Sequence, residues 1–122
     1  ICSNGIDVIS AHAPSDIFID KLETKIIKEI FGHRAYEIPI SSVKSMTGNP
    51  LGSAGPFQTI AAMLWFEKNI VTPTINYEYP DSDCDLYYVP NRTRNLKVNT
   101  ALLDCGGLGG TCSALICKRA EI

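Results

Sequence analysis

Apolar positions along this chain fall into short runs with two different periods. Asp7 to Ala11, D-V-I-S-A, is a compact, β-branched run that ends at His12, the pattern of a buried strand. Pro14 breaks it, and Ser15 or Asp16 can cap the next segment. From Asp16 to Phe31 the residues Ile19, Leu22, Ile26, Ile27 and Ile30 recur at three- and four-residue steps. Lys21, Lys25, Lys28 and Glu29 take the other face, and Gly32 follows the last turn. This spacing predicts an amphipathic helix.

Ile38 to Val43 predicts a second buried strand, with Pro39 marking its entry or an edge position. Lys44 to Leu51 reads as a loop. Gly52-Ser53-Ala54-Gly55-Pro56 then opens a helix running to about Asn69, with Phe57, Ile60, Ala61, Leu64 and Trp65 on one face. Pro56 is tolerated in a first turn. So many small residues at a helix start predict close backbone packing and a central, largely buried helix. Ile70 to Pro80 is irregular. Leu86 to Val89, Thr100 to Cys105 and Ser113 to Lys118 read as strands, the last two joined as a hairpin across Gly106 to Thr111. The order predicts one layered α/β domain over 1–122, a mixed sheet packed with two main helices.

Composition narrows the function classes. The chain has 122 residues and a net charge of −2, so it can build a core unaided, and it lacks the basic stripe that nucleic acid requires. No apolar run approaches the roughly 18 residues of a membrane span. The start, Ile-Cys-Ser-Asn-Gly, has neither an initiator Met nor a signal pattern, which predicts a piece of a longer gene product. Cys2, Cys84, Cys105, Cys112 and Cys117 are odd in number and contain no C-x-x-C. They predict reduced, mostly buried thiols in a cytoplasmic protein, and no metal site.

Four stretches could carry chemistry. His12 stands where a strand gives way to a loop, an edge that functional groups favour in open α/β sheets, although a histidine there can equally just bond the loop backbone. Asp20 and Glu23 lie one helical turn apart, so their carboxylates face the same way; taken alone they read as a solvated face. Lys44 to Gly55 combines a lysine, a Gly turn and a glycine-rich helix start, but its lysine precedes the glycines, which excludes a P-loop. Gly106, Gly107, Leu108, Gly109, Gly110 and Thr111 precede no helix, so the dinucleotide fingerprint fails there too. These glycines instead predict positive φ and close approach to another segment or an acyl ligand. No cofactor is expected.

Taken in order, the motifs resemble the C-terminal half of a β-ketoacyl-acyl carrier protein synthase, closest to the elongating enzymes of type II fatty-acid synthesis. The resemblance rests on Asp7-V-I-S-A-His12, D-x-x-E-T-K at Asp20 to Lys25, Ile30-Phe-Gly32 and S-x-x-K-S-M-T-G at Ser41 to Gly48. Leu51-Gly-x-Ala-Gly55, Pro73-Thr-Ile-Asn76, Cys84-Asp-Leu, Val89-Pro90 and Gly107-x-Gly-Gly-Thr111 continue it, from about Asp7 to Lys118. It implies half of a thiolase-like fold and a decarboxylative Claisen condensation with malonyl-acyl carrier protein. It also implies partnership with acyl carrier protein and with an N-terminal half that holds the nucleophilic cysteine. Dimers, homo- or heteromeric, are the family habit.

By the same resemblance His12 falls on the first of two family histidines that donate to the enolate oxygen, and Lys44 falls on the family lysine. Glu23 is the helix acid expected to form a buried ion pair with Lys44. The second histidine position holds Asn49, whose amide can donate a hydrogen bond but cannot shuttle a proton. The family's H-G-T reads His12-Ala13-Pro14, and its N-S-F-G-F-G-G-T-N reads Asp104 to Cys112, with Gly106 and Leu108 where aromatics gate the acyl entrance. An altered acyl preference is the expected consequence. Three readings remain open: a working synthase with an Asn donor, a non-condensing partner like a chain-length factor, and a free-standing module that binds acyl carrier protein.

Overall fold

A computed structural model describes residues 5–121; Cys2 lies outside them. A four-stranded sheet carries the fold, in the order β2-β1-β5-β6. Strands β1 (Val8–Ser10), β2 (Ile40–Ser41) and β5 (Thr100–Gly106) run parallel, and β6 (Cys112–Lys118) pairs antiparallel with β5 through the hairpin turn. The sheet is therefore mixed, as expected. Helix α1 (Ile17–Phe31) covers one face and α3 (Ala54–Lys68) the other, and between them in sequence lie a one-turn helix, α2 (Lys44–Thr47), and two short 3-10 turns, Gly32–Tyr36 and Leu51–Ser53. A small second ladder joins β3 (Ile70–Val71) to β4 (Arg94–Asn95).

Alternation along β1 divides the core in two. Ile9 packs with Ile40, Ile27 and Phe31 under α1, while its neighbour Val8 packs with Ala62, Trp65, Val71 and Leu103 under α3. A strand buried on both faces favours apolar residues on both sides, which is why Val8 and Ile9 are adjacent apolar positions, followed by the small buried Ser10. Asp16 starts α1 by accepting the N–H groups of Phe18 at 2.9 Å and Ile19 at 3.0 Å. Gly32 at φ 57° ends that helix, and Asn69 at φ 54° ends α3.

Several expectations require correction. The second strand is only Ile40–Ser41, an edge strand entered from Pro39, and the expected loop Lys44–Leu51 is irregular only over Gly48–Pro50, with α2 before it and a 3-10 turn beginning at Leu51. Leu86–Val89 joins no ladder; its carbonyls at Tyr87 and Val89 instead accept single bonds from Ile40 and Thr74. Helix α3 is not largely buried. Only Ala54, Gln58, Ala62 and Trp65 are, leaving Phe57, Ile60 and Leu64 exposed. Likewise α1 buries Glu23, Thr24, Ile27 and Phe31, whereas Ile19, Leu22, Ile26 and Ile30 face outward. Both helices carry more apolar surface than this sheet can cover. The four described cysteines are unbridged thiols, three half-buried and Cys112 exposed, so they are not the core residues expected. Among the described residues no helix is long and apolar enough to cross a membrane.

Candidate active site

The site begins with one peptide unit. His12 leaves the end of β1, and its backbone is gripped from both sides. The Glu23 carboxylate accepts the N–H of His12 at 2.7 Å and that of Ala13 at 2.8 Å. Lys44, on the single turn α2, donates from Nζ to the His12 carbonyl oxygen. Glu23 and Lys44 are both buried, but they do not form the direct ion pair expected. Each spends its hydrogen-bonding capacity on the same stretch of backbone, and the charges balance across that peptide. The backbone partners offset part of the desolvation cost that two buried ionisable groups incur.

Ring geometry is set by this grip. Lys44 Nζ also lies 3.5 Å from His12 Nδ1. An ammonium offers only hydrogens, so Nδ1 presents its lone pair and the proton resides on Nε2. Burial, joined by the Lys44 charge, pulls the imidazole below its ordinary pKa, with the Asp104 carboxylate opposing. The ring is thus held neutral near pH 7, with an N–H donor at Nε2. Opposite it stands Gly106 of β5, where an added Cβ would lie 3.0 Å from Cδ2 and 3.1 Å from Nε2 of the ring. With the ring in this position, a side chain at Gly106 would crowd the imidazole.

Electrostatics around the histidine are tightly balanced. Burial pushes the Glu23 carboxyl up to about 7, with the Asp104 carboxylate adding to the shift, and outweighs the two amide donors that favour its charged form. Burial pulls Lys44 down, against the charges of Cys105, Glu23, Asp104 and Asp20. Asp20 is half-buried with its carboxyl raised by burial, and its Oδ1 has no hydrogen-bond partner among the described residues. The reading of Asp20 and Glu23 as a solvated face therefore fails for Glu23, because helix α1 turns that side toward the sheet end.

Asn49 does not join the histidine directly. It shares with Lys44, Glu23 and Asp20 the wall of a cavity of about 630 Å³ that also reaches Asn76 and Tyr88. Its Oδ1 accepts the Leu51 N–H at 3.2 Å, and the side chain is exposed. In the glycine-rich hairpin, Gly109 and Gly110 both take φ 79°, and Gly107 packs against Thr111, donating to its carbonyl at 2.7 Å. Leu108 stands at the tip, 96% exposed and outside the cavity wall. The apolar pattern of α3 passed over Gln58, which is fully buried beside the same strand ends; a lone polar residue in step with Ala62 and Trp65 was the available signal.

Comparison with known proteins gives this geometry a family. The model for the β-ketoacyl synthase C-terminal domain matches residues 1–78. Over 119 residues the chain is 43% identical to 3-oxoacyl-[acyl-carrier-protein] synthase 2 of Coxiella burnetii, covering 98% of this chain and 29% of that protein. Among solved structures, a type II polyketide ketosynthase with its acyl-carrier protein, bound to the hexaketide (AntDE:AntF), superposes with a TM-score of 0.95 at 40% identity, over 98% of this chain and 29% of that one. The ishigamide ketosynthase/chain length factor gives 0.94 at 31%, over 99% of this chain and 30% of its own. The chain thus spans about three-tenths of the relatives it matches. With its histidine, lysine and glycine hairpin arranged on half of a thiolase-like fold, the chain belongs to the β-ketoacyl synthase family.

Proposed function

We propose that this chain is the C-terminal domain, 1–122, of a 3-oxoacyl-[acyl-carrier-protein] synthase acting in fatty-acid or polyketide synthesis. An N-terminal half supplies the nucleophilic cysteine and covers the exposed apolar faces of α3 and β6. In the reaction the cysteine carries an acyl group as a thioester. Malonyl-acyl carrier protein loses carbon dioxide, and the electron pair of the broken C–C bond becomes an enolate. The enolate carbon then bonds to the acyl carbonyl carbon while the C–S bond breaks, returning the thiolate and leaving a 3-oxoacyl thioester on the carrier.

An enolate oxygen needs a donor that is fixed beforehand and does not surrender its proton too early. The observation that carries the proposal is the placement of His12, whose Nδ1 lies 3.5 Å from Lys44 Nζ and so leaves Nε2–H to donate, with burial and the Lys44 charge favouring the neutral ring. Lys44 and Glu23 serve as positioning residues through the His12 peptide. Asn49 is a second donor, an amide, on the cavity wall, brought to the enolate by a turn of its side chain away from Leu51. Acyl carrier protein is the macromolecular partner, the full-length protein works as a dimer, and the cytoplasm is its setting.

A second reading is favoured by Asn49 itself. Its bond to Leu51 and its exposure suit a non-condensing subunit that shapes the pocket of a partner synthase, as chain-length factors do. Purified full-length protein should be assayed separately for malonyl decarboxylation and for condensation, beside Asn49→His. Condensation by wild type, raised in the variant, supports the synthase. No acyl transfer by either protein removes it in favour of the partner subunit, and a Gln or Ala at the upstream nucleophile position would agree.

A further inference from the structure

Gln58 is the most completely buried polar side chain on α3, at 1% exposure, and its hydrogen bonding is unusual. The Nε2 atom lies 3.1 Å from the Ser10 carbonyl oxygen, 2.9 Å from that of Ala11 and 2.9 Å from that of Asp104. Two hydrogens are therefore shared among three acceptors, while Oε1 has no donor among the described residues. A flipped amide would aim Oε1 at three carbonyl oxygens, so the environment itself dictates the orientation. Buried polar groups are ordinarily satisfied, and a side chain kept at this cost has a task elsewhere.

The acceptors reveal the task. Ser10 and Ala11 end β1, and the next residue is His12. Asp104 belongs to β5, two residues before Gly106, against which the His12 ring rests. One carboxamide from the opposite helix thus ties together the two strand ends that hold the imidazole. Resting on the synthase reading above, we infer that Gln58 is a positioning residue for His12. It clips the ends of β1 and β5 at a fixed separation, so that the ring sits between Lys44 and Gly106. Glu23 and Lys44 set the His12 peptide; Gln58 sets the strands on either side of the ring.

The test reads His12 without turnover. The full-length protein is treated with diethyl pyrocarbonate across a pH range, and acylation of the His12 peptide is followed by mass spectrometry. Gln58→Leu, which fills the space but donates nothing, should label at least about fivefold faster, as the strand ends open locally. Gln58→Glu should label like wild type while its carboxyl keeps its proton, then climb toward the Leu rate as that proton leaves. This second titration beyond that of the imidazole is one that a merely space-filling residue would not produce. In wild type, the Gln58 side-chain amide protons should exchange at least about a hundredfold more slowly than those of an exposed glutamine. Wild-type labelling in Gln58→Glu at every pH, or amide exchange at the exposed rate, would overturn the clip, and both can be read even if Gln58→Leu does not fold. A protein that fails to condense but shows these His12 effects loses the synthase reading and keeps the clip. One that condenses while His12 ignores Gln58 does the reverse.

Discussion

Lys44 holds His12 twice, donating to its carbonyl oxygen and placing Nζ 3.5 Å from its Nδ1. One side chain therefore sets both the backbone position of the histidine and the tautomer of its ring. The same ammonium charge, second to burial, keeps the imidazole neutral.

Replacing Lys44 with Met keeps most of the volume and removes the charge. The His12 pKa should then rise toward its ordinary value, because a nearby positive charge no longer opposes protonation. In a condensation assay, the acidic limb of the rate profile should move to higher pH. An unmoved limb, or one displaced downward, would show that Lys44 does not act on the ring.

Glu23 makes stability depend on pH in a definite direction. Its folded pKa of about 7 lies above the value of 4.5 expected when unfolded. The folded state then holds the extra proton, so stability should fall as pH rises from about 4.5 to about 7 and level off above. Glu23→Gln should flatten that slope in urea titrations. Glu23→Ala should cost about 2 kcal/mol or more, since it strands two N–H groups. A slope of opposite sign in wild type would mean that the amide donors outweigh burial.

A methyl group at Gly106 would press on the His12 ring, which would have to give by a few tenths of an ångström. Gly106→Ala should displace the His12 ring and lower kcat by about tenfold or more, the scale of a modest misplacement of a reacting group. The melting temperature should change little, because the position lies at the end of β5 beside the exposed hairpin. Equal losses of activity and stability would instead mark Gly106 as a purely structural glycine.

Leu108 tests the acyl entrance. An aromatic ring at this exposed tip would narrow whatever opening the assembled protein forms there. Leu108→Phe should reduce turnover of long acyl thioesters more than short ones, measured as kcat/KM across a chain-length series. An unchanged ratio would remove the hairpin tip from chain-length selection.

Much of the architecture was legible because it rests on local rules. The helix from Asp16 to Phe31 declares itself by a capping aspartate, a three-four apolar rhythm and a terminal glycine, and these act within a few residues. Thr100 to Lys118 declares a hairpin by two β runs around glycines that alone take φ 79° easily. Periodicity misjudged which faces are covered. The rhythm of Ile19, Leu22, Ile26 and Ile30 is a property of the helix, but burial is a property of what lies against it, and here the sheet meets Glu23, Thr24 and Ile27 instead.

The chemistry divides along the same line. Residue types and their order were enough to single out His12, Lys44 and Asn49 and to establish the family, because motif spacing is written along the chain. Only the folded molecule decided that Glu23 and Lys44 meet through the His12 peptide rather than each other, and that Gln58 joins two strand ends. These contacts link positions 11, 32 and up to 48 residues apart, and their geometry depends on how α1, α2 and α3 settle around one sheet edge. Linear order specifies which groups are available; distance, burial and competition for the same few carbonyls and N–H groups determine which of them bond.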